Sequence, residues 1–412
     1  MTINKHKSTI INELYKEIES GNINFVDSFW SNIKKTGTPI IESIDGDSEF
    51  SLVTFIYKGD DNTESLQLYV PVNSNPNNID CASYGLSEFK FECISNTNVW
   101  YASCIVRNDV RLSYMLLLNC PFEKASEYPE RMIKDSFNKN KLIFPNDSET
   151  EKDFVIDYVN MPDVDEHIWV KERIDTLKGK IETLKSKSEI LKNERNITIY
   201  TPSNYRKTNE PYNLLVLNDG AEYLRISAKE ILDNLINDNK IPPTVAVFID
   251  SNDDRMTELM CNDNFSSYVV DEVLPWVREH YNVTTDPSKS IIGGLSLGGL
   301  TASFMGLRFP NVFGNILSQS GSYWYKREDY ENPEKRNWLA RQFKNIDKLP
   351  LKFYLNIGIL EGPQIYEANQ TFRDVLISKG YLVSYEEFKG GHDYLCWGET
   401  LATGLIALIG KY

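Results

Sequence analysis

Residues 290–307 read Ser290-Ile291-Ile292, then Gly293-Gly294-Leu295-Ser296-Leu297-Gly298-Gly299, then Leu300-Thr301-Ala302-Ser303-Phe304-Met305-Gly306-Leu307. A strand-like segment, a serine framed by glycines and a helix-like run, in that order, constrain the chain more than any other stretch. A serine is pushed out above a sheet edge only by a turn too tight for side chains at the flanking positions, where Gly294 and Gly298 stand. Strand before and helix after predict a nucleophile elbow at Ser296 within a layered α/β domain. The pentapeptide alone also fits an ordinary strand-to-helix turn, so the catalytic reading requires an acid and a histidine further along the chain.

The flanking pattern supplies such a domain. Apolar runs Leu214–Leu217, Val245–Ile249, Ile291–Ile292, Asn315–Ser318, Phe353–Gly358 and Val383–Phe388 alternate with helix-like segments, and two alternating strands, Thr176–Leu184 and Ser188–Tyr200, precede them. Strands alternating with helices predict a doubly wound, mostly parallel sheet. Earlier the period differs. Two short helices, near 10–20 and 24–35, lead into alternating segments such as Phe50–Tyr57, Ser65–Val70, Phe89–Cys93, Val99–Val106 and Arg111–Leu118, with a turn at Asn73–Asn78. Short strands at that spacing predict an all-β, immunoglobulin-like sandwich. The Lys-, Asp- and Asn-rich stretch from Pro121 to Val164, interrupted by Pro129, Pro145 and Pro162, reads as a connector, with domains expected at 1–150 and 151–412.

Four histidines make the search for a base short. His6 lies in a polar terminus, His167 in a Pro/Asp/Glu loop before the sheet, and His280 at a helix end, where it suits a dipole cap. His392 stands in Gly390-Gly391-His392-Asp393 after the last strand, in the chain order Ser…acid…His. The acid is expected after the preceding strand, at Glu361, with Asp374 and Asp393 as rivals. A carboxylate on Nδ1 would fix the tautomer whose Nε2 takes the Ser296 proton. The oxyanion hole needs backbone N–H groups: Leu297 supplies one, and the loop Asn218-Asp219-Gly220-Ala221 a second, assigned to Gly220.

A net charge of −15 argues against nucleic acid and anionic membrane partners, and any anionic substrate would have to be met by local positive charge. Six cysteines without zinc spacing read as free thiols, and no metal or cofactor is called for. No run approaches the roughly 20 apolar residues of a membrane span, and the polar start lacks a signal core, so a cytoplasmic setting is expected.

The quoted motifs, with Phe248-Ile249-Asp250, Arg255–Leu259, Glu272–Val277, Ser318–Trp324 and Gly390–Trp397, resemble the enterochelin (enterobactin) esterases of the α/β-hydrolase superfamily. Phe29-Trp30, Gly37–Glu42, Val53-Thr54-Phe55 and Arg111–Tyr114 resemble that family's amino-terminal sandwich. The resemblance implies hydrolysis of a catecholate siderophore trilactone, with iron arriving as part of the small-molecule substrate. It also implies substrate contacts from Arg255, Trp324 and Trp397, against plainer readings as an ion-paired arginine and core tryptophans. Gly398 departs from the arginine common there. Another enzymatic reading is an esterase or acyltransferase on a feruloyl, acyl-serine or peptide-derived metabolite. A non-enzymatic reading is a glycan- or partner-binding sandwich on a degenerate hydrolase.

Overall fold

The computed structural model describes residues 8–69, 90–121, 124, 127–144, 153–208, 210–327 and 336–411, so His6, Cys81, Phe89 and the Asn73–Asn78 turn lie outside the described residues. Two compact units divide the chain: Met1–Glu166 with Leu360–Gly362 and Lys389–Asp393, and His167–Ile359 with Pro363–Phe388 and Tyr394–Tyr412.

In the first unit, helices α1 (Thr9–Glu19) and α2 (Phe25–Thr36) precede strands β1 (Ile40–Ile44), β2 (Asp47–Lys58), β3 (Leu66–Tyr69), β4 (Glu92–Cys93), β5 (Val99–Arg107), β6 (Arg111–Leu118), β7 (Met132–Ile133), β8 (Lys141–Phe144) and β9 (Phe154–Asn160). Ile11 and Leu14 of α1, and Phe29, Trp30 and Ile33 of α2, lie at helical spacing and bury one face against Ile56, Val99 and Tyr101. The strands form two antiparallel sheets, ordered β1-β2-β5-β4 and β3-β6-β9-β8, with β7 beside β6. Phe55 of β2 meets Tyr114 of β6 edge to face, ring centroids 4.8 Å apart, so side chains of the two sheets pack together.

The connector expected from Pro121 to Val164 is in part sheet, and the unit ends at Glu166 rather than at 150. The prolines suggested a linker, but β9 pairs with both β6 and β8, completing the second sheet. Buried polar side chains bind this returning segment. Asp135 accepts hydrogen bonds from Thr38 Oγ1 (2.7 Å), Tyr114 OH (2.9 Å) and the N–H groups of Phe137 (2.9 Å) and Asn138 (3.2 Å).

The second unit holds one sheet of eight strands: β10 (Lys180–Lys187), β11 (Glu194–Thr201), β12 (Asn213–Asn218), β13 (Thr244–Ile249), β14 (Ser290–Leu295), β15 (Asn315–Gln319), β16 (Lys352–Gly358) and β17 (Leu382–Phe388). Their order is β10-β11-β13-β12-β14-β15-β16-β17, parallel from β13 onward. Helices α3 (Gly220–Arg225), α4 (Ala228–Asn237), α5 (Arg255–Glu258), α6 (Asp263–Ser267), α7 (Leu274–His280), α8 (Leu297–Arg308), α9 (Trp338–Asn345), α10 (Pro363–Ser378) and α11 (Tyr394–Ile409) accompany the strands. Strands β13 and β14 are buried along their whole length, as central parallel strands covered on both faces must be.

Two expected boundaries shift. The first two strands begin later, at Lys180 and Glu194, the second because the intervening turn is held by Glu272, whose carboxylate accepts from Ser188 Oγ and from the N–H groups of Glu189 and Ile190. The helix read through to His280 contains a π stretch, Tyr268–Val273, just before Pro275, which has no N–H to continue an α ladder.

Asp250, after β13, is pushed up to about 6, chiefly by burial, with bonds from Ala221 N–H and Asn196 opposing the shift. A folded-state value above the unfolded one makes the native state the tighter proton binder, so ionisation costs stability as pH rises from about 4 through 6. Asp250→Asn should therefore gain stability over wild type between pH 4 and pH 8, by on the order of 1 kcal/mol after discounting for partial exposure. A pH-independent difference in urea midpoints would refute that. Asp135→Ala leaves several buried donors without an acceptor and should lower unfolding free energy by about 3 kcal/mol or more. Tryptophan-monitored guanidinium unfolding checks it, and a loss under about 1 kcal/mol would contradict the assignment.

Candidate active site

The loops that carry Ser296 and Gly220 follow the carboxy ends of parallel strands β14 and β12. The chain runs from β12 to β13 on one side, then returns to β14 on the other, creating the switch point where open α/β sheets take ligands. Ser296 caps β14 with φ 54° and ψ −115°, a conformation that costs a non-glycine residue about 1–3 kcal/mol. Backbone bonds on both sides hold it there. Its N–H donates to Gln319 O (2.8 Å), and its carbonyl accepts from Ser322 N–H (3.0 Å). Gly294 is obligatory for contact: a Cβ there would stand 2.3 Å from the carbonyl carbon of Gly298, so only glycine lets α8 start directly against β14. The Ser296 hydroxyl lies 3.3 Å from that of Ser322, a neighbour the sequence reading did not single out.

Glu361 and His392 are brought together. Their loops follow β16 and β17, are joined by Leu360 N–H to Gly390 O at 3.0 Å, and place His392 Nδ1 2.6 Å from Glu361 Oε2. The Glu361 side chain is fully buried, whereas the imidazole keeps about a third of its surface, 31 %, exposed. A carboxylate out of water beside a ring nitrogen orients the ring and stabilises it when charged. The rivals are engaged elsewhere: Asp374 is exposed and pairs with Arg373, and Asp393 accepts from Ser113. So are the other described histidines. His280 Nδ1 bonds Trp276 O at the end of α7, as a helix cap does, and His167 pairs with Glu399.

Leu297 and Gly220 each begin a helix, α8 and α3, and first-turn N–H groups have no partner within their helix. The two helix starts are neighbours, since Asn218 Nδ2 donates to Gly298 O (3.3 Å) and a Cβ on Gly298 would lie 3.1 Å from Asp219 Oδ2. Asp219, buried and left-handed at φ 59°, sets the start of α3. Arg255 holds it: Nε and Nη2 reach its two oxygens at 2.6 and 2.7 Å, and Ser251 Oγ adds a third bond at 2.5 Å. Tyr394 beside this cluster is pushed up to about 12, by burial first and then by the Glu222 and Asp219 carboxylates.

This revises the expected substrate contacts. Arg255 is committed to Asp219 through a bidentate pair, the plainer of its two readings. Trp397 is a core residue: it is buried in α11 and its indole N–H donates to Ser320 Oγ at 2.9 Å, which removes its ring from any solvent-side stacking role. The resemblance placed it by motif, while the helical period of α11 turns it inward. Trp324 is partly exposed and packs against the core of the second unit. Gly398 has a structural cause, because a Cβ would stand 2.9 Å from Ile226 O. Among the described residues no group of three or more His, Cys, Asp or Glu side chains is placed to hold a metal ion.

Known proteins resemble this chain in sequence and in fold. A family model described as "Putative esterase" matches residues 188–408. The iron(III) enterobactin esterase of Escherichia coli K12 is 34% identical over 219 residues, 52% of this chain and 53% of that enzyme, so this match spans about half the length of that relative. The iron(III) enterobactin esterase of Dickeya dadantii is 26% identical over 408 residues, covering 92% of each chain. The enterobactin esterase of Shigella flexneri, solved in the presence of enterobactin, superposes with a TM-score of 0.75 at 25% identity over 92% of this chain and 97% of that one. The family model covers more than half of the chain, with the elbow serine and the sheet that carries it inside the match, and the chain belongs to the putative esterase family.

Proposed function

We propose that this protein is a serine esterase that opens the trilactone of a catecholate siderophore such as ferric enterobactin. The observation that carries the reading is the 2.6 Å bond between buried Glu361 and His392, on loops that follow the elbow strand in the chain order of hydrolase triads. The names of relatives matched along nearly the whole chain favour the siderophore substrate.

In the proposed reaction Ser296 Oγ attacks a seryl ester carbonyl while His392 Nε2 takes its proton. The oxyanion is met by the N–H groups of Leu297 and Gly220, a contribution of about 3 kcal/mol per donor. The imidazolium, oriented and balanced by Glu361, returns its proton to the departing seryl alkoxide. Water, deprotonated by the same nitrogen, then releases the acyl group and regenerates the serine. Iron belongs to the substrate and takes no part in these steps. Three catechols on one scaffold hold iron through high effective concentration, and cutting the scaffold weakens recapture. The proposed setting is the cytoplasm, where an imported ferric complex would be met; no described helix is long and apolar enough to cross a membrane.

Purified protein should convert enterobactin, with or without iron, to linear dihydroxybenzoylserine products resolved by mass spectrometry. Ser296→Ala should lower kcat by roughly four to six orders of magnitude, and Glu361→Gln by roughly three to four, through the wrong imidazole tautomer. Hydrolysis that persists in Ser296→Ala would falsify the nucleophile assignment, and faster turnover of feruloyl or acetyl esters would replace the substrate class. Arg255→Met should cut kcat roughly ten- to hundredfold with less change in KM, because releasing Asp219 misplaces the Gly220 donor. A pure KM effect would instead return Arg255 to the role of a direct substrate contact.

A further inference from the structure

Asp393 follows the proposed base directly, and its side chain accepts a bond from a strand of the amino-terminal unit. Ser113 Oγ, on β6, donates to Asp393 Oδ2 at 3.0 Å, and both residues are buried. Two contacts hold the other end of the same segment: Arg111 N–H donates to Lys389 O (3.3 Å), and Lys389 Nζ lies 2.9 Å from Asp109 Oδ2. Asp109 is already gripped by Arg107 through Nε and Nη2, and that bonding holds its carboxyl down to about 2. Arg111 is anchored in turn to Asn160 Oδ1 and Asp165 O. Residues 389–393 therefore group with the amino-terminal unit rather than with the strand that leads into them.

The segment needs holding. Two of its five residues are Gly390 and Gly391, the least restrained backbone available, and His392 follows them immediately. The Nδ1 bond fixes the ring against Glu361 and the Leu360–Gly390 bond ties the loop two residues earlier, while a general base has to be held within about 0.5 Å of its productive position. The exposed Lys389–Asp109 pair contributes little to that, as surface ion pairs do. The buried hydroxyl–carboxylate bond one residue from the histidine contributes more.

We propose that Ser113 is a positioning residue for His392, acting through Asp393, so that a strand of the amino-terminal sandwich carries part of the hydrolytic apparatus. The catalytic side of this proposal rests on the reading of His392 as the base. Ser113→Ala and Asp393→Ala should each lower kcat tenfold or more at nearly constant KM. The double variant should fall no further than Asp393→Ala, because both remove one interaction. Asp393→Asn retains a carbonyl oxygen to accept the hydroxyl and should stay within about threefold of wild type, which separates anchoring from an effect of charge. Additive losses, or a Ser113→Ala enzyme with unchanged kcat, would overturn the proposal.

A second readout needs no turnover. The low-field proton signal of the His392 Nδ1–H, identified by its loss in His392→Ala, should broaden through solvent exchange in Ser113→Ala and Asp393→Ala and persist in Asp393→Asn. An unchanged signal in both alanine variants rejects the positioning role. If the signal responds as expected while His392→Ala hydrolyses esters normally, the base assignment fails and the positioning of the ring stands. Should Ser113→Ala fail to fold, the Asp393→Ala and Asp393→Asn pair carries the same comparison.

Discussion

The close approach of α8 to β14 is the contact on which the second unit depends. Only a glycine at 294 allows the Gly298 peptide to lie against the strand, and that proximity bends the chain so sharply that Ser296 takes a positive φ. The strain is sustained because the neighbours over-determine it. Gln319 and Ser322 bond the serine backbone from the β15 side, and Asn218 reaches the first turn of α8 from the β12 side. A hydroxyl projected by such a turn cannot relax inward without breaking several backbone bonds at once, and this rigidity is what a nucleophile needs.

Behind the turn lies a buried polar layer in place of simple apolar packing. Gln319 accepts from Tyr223 OH (2.7 Å) and donates to Trp397 O (2.7 Å) and Thr400 Oγ1 (2.6 Å), joining α3, β15 and α11. Buried side-chain amides are stable only when satisfied, and a satisfied one fixes the relative placement of the elements it joins. The arrangement therefore couples the helix that starts at Gly220 to the strand whose last residue holds the Ser296 N–H. The proposed oxyanion donors and the proposed nucleophile share one framework.

How much of this was legible in the chain follows from how local each signal is. The elbow, the parallel strands and the pairing of His392 with Glu361 could be read because glycine placement, apolar runs and chain order are properties of contiguous sequence. The structure bonds His392 to Glu361 and starts a helix directly after Ser296. What escaped was long-range. Strand β9 could not be recognised inside a polar, proline-broken stretch, since its role is set by pairing with β6 some 40 residues earlier. The resemblance suggested Arg255 as a substrate contact beside the plainer reading of an ion-paired arginine, and sequence alone does not show that Asp219, 36 residues before it, accepts both arms. Trp397 misled for a related reason: the Gly390–Trp397 motif runs straight into α11, whose helical period turns the indole inward.

Electrostatics sharpens what the site can offer an anionic ligand. The whole chain carries −15, yet at physiological ionic strength charges beyond about 8 Å are screened, so recognition is decided by the first few side chains. At this sheet edge the Arg255–Asp219 pair presents its two ends unequally: the carboxylate is fully buried, while 30 % of the guanidinium side chain remains exposed. Pairing with Asp219 largely cancels the guanidinium's charge, so the field it leaves at this edge is shorter-ranged than that of a lone cation. A short-ranged field of that kind holds Asp219 and the start of α3 in place without acting at a distance, so the pair serves the geometry of this edge first.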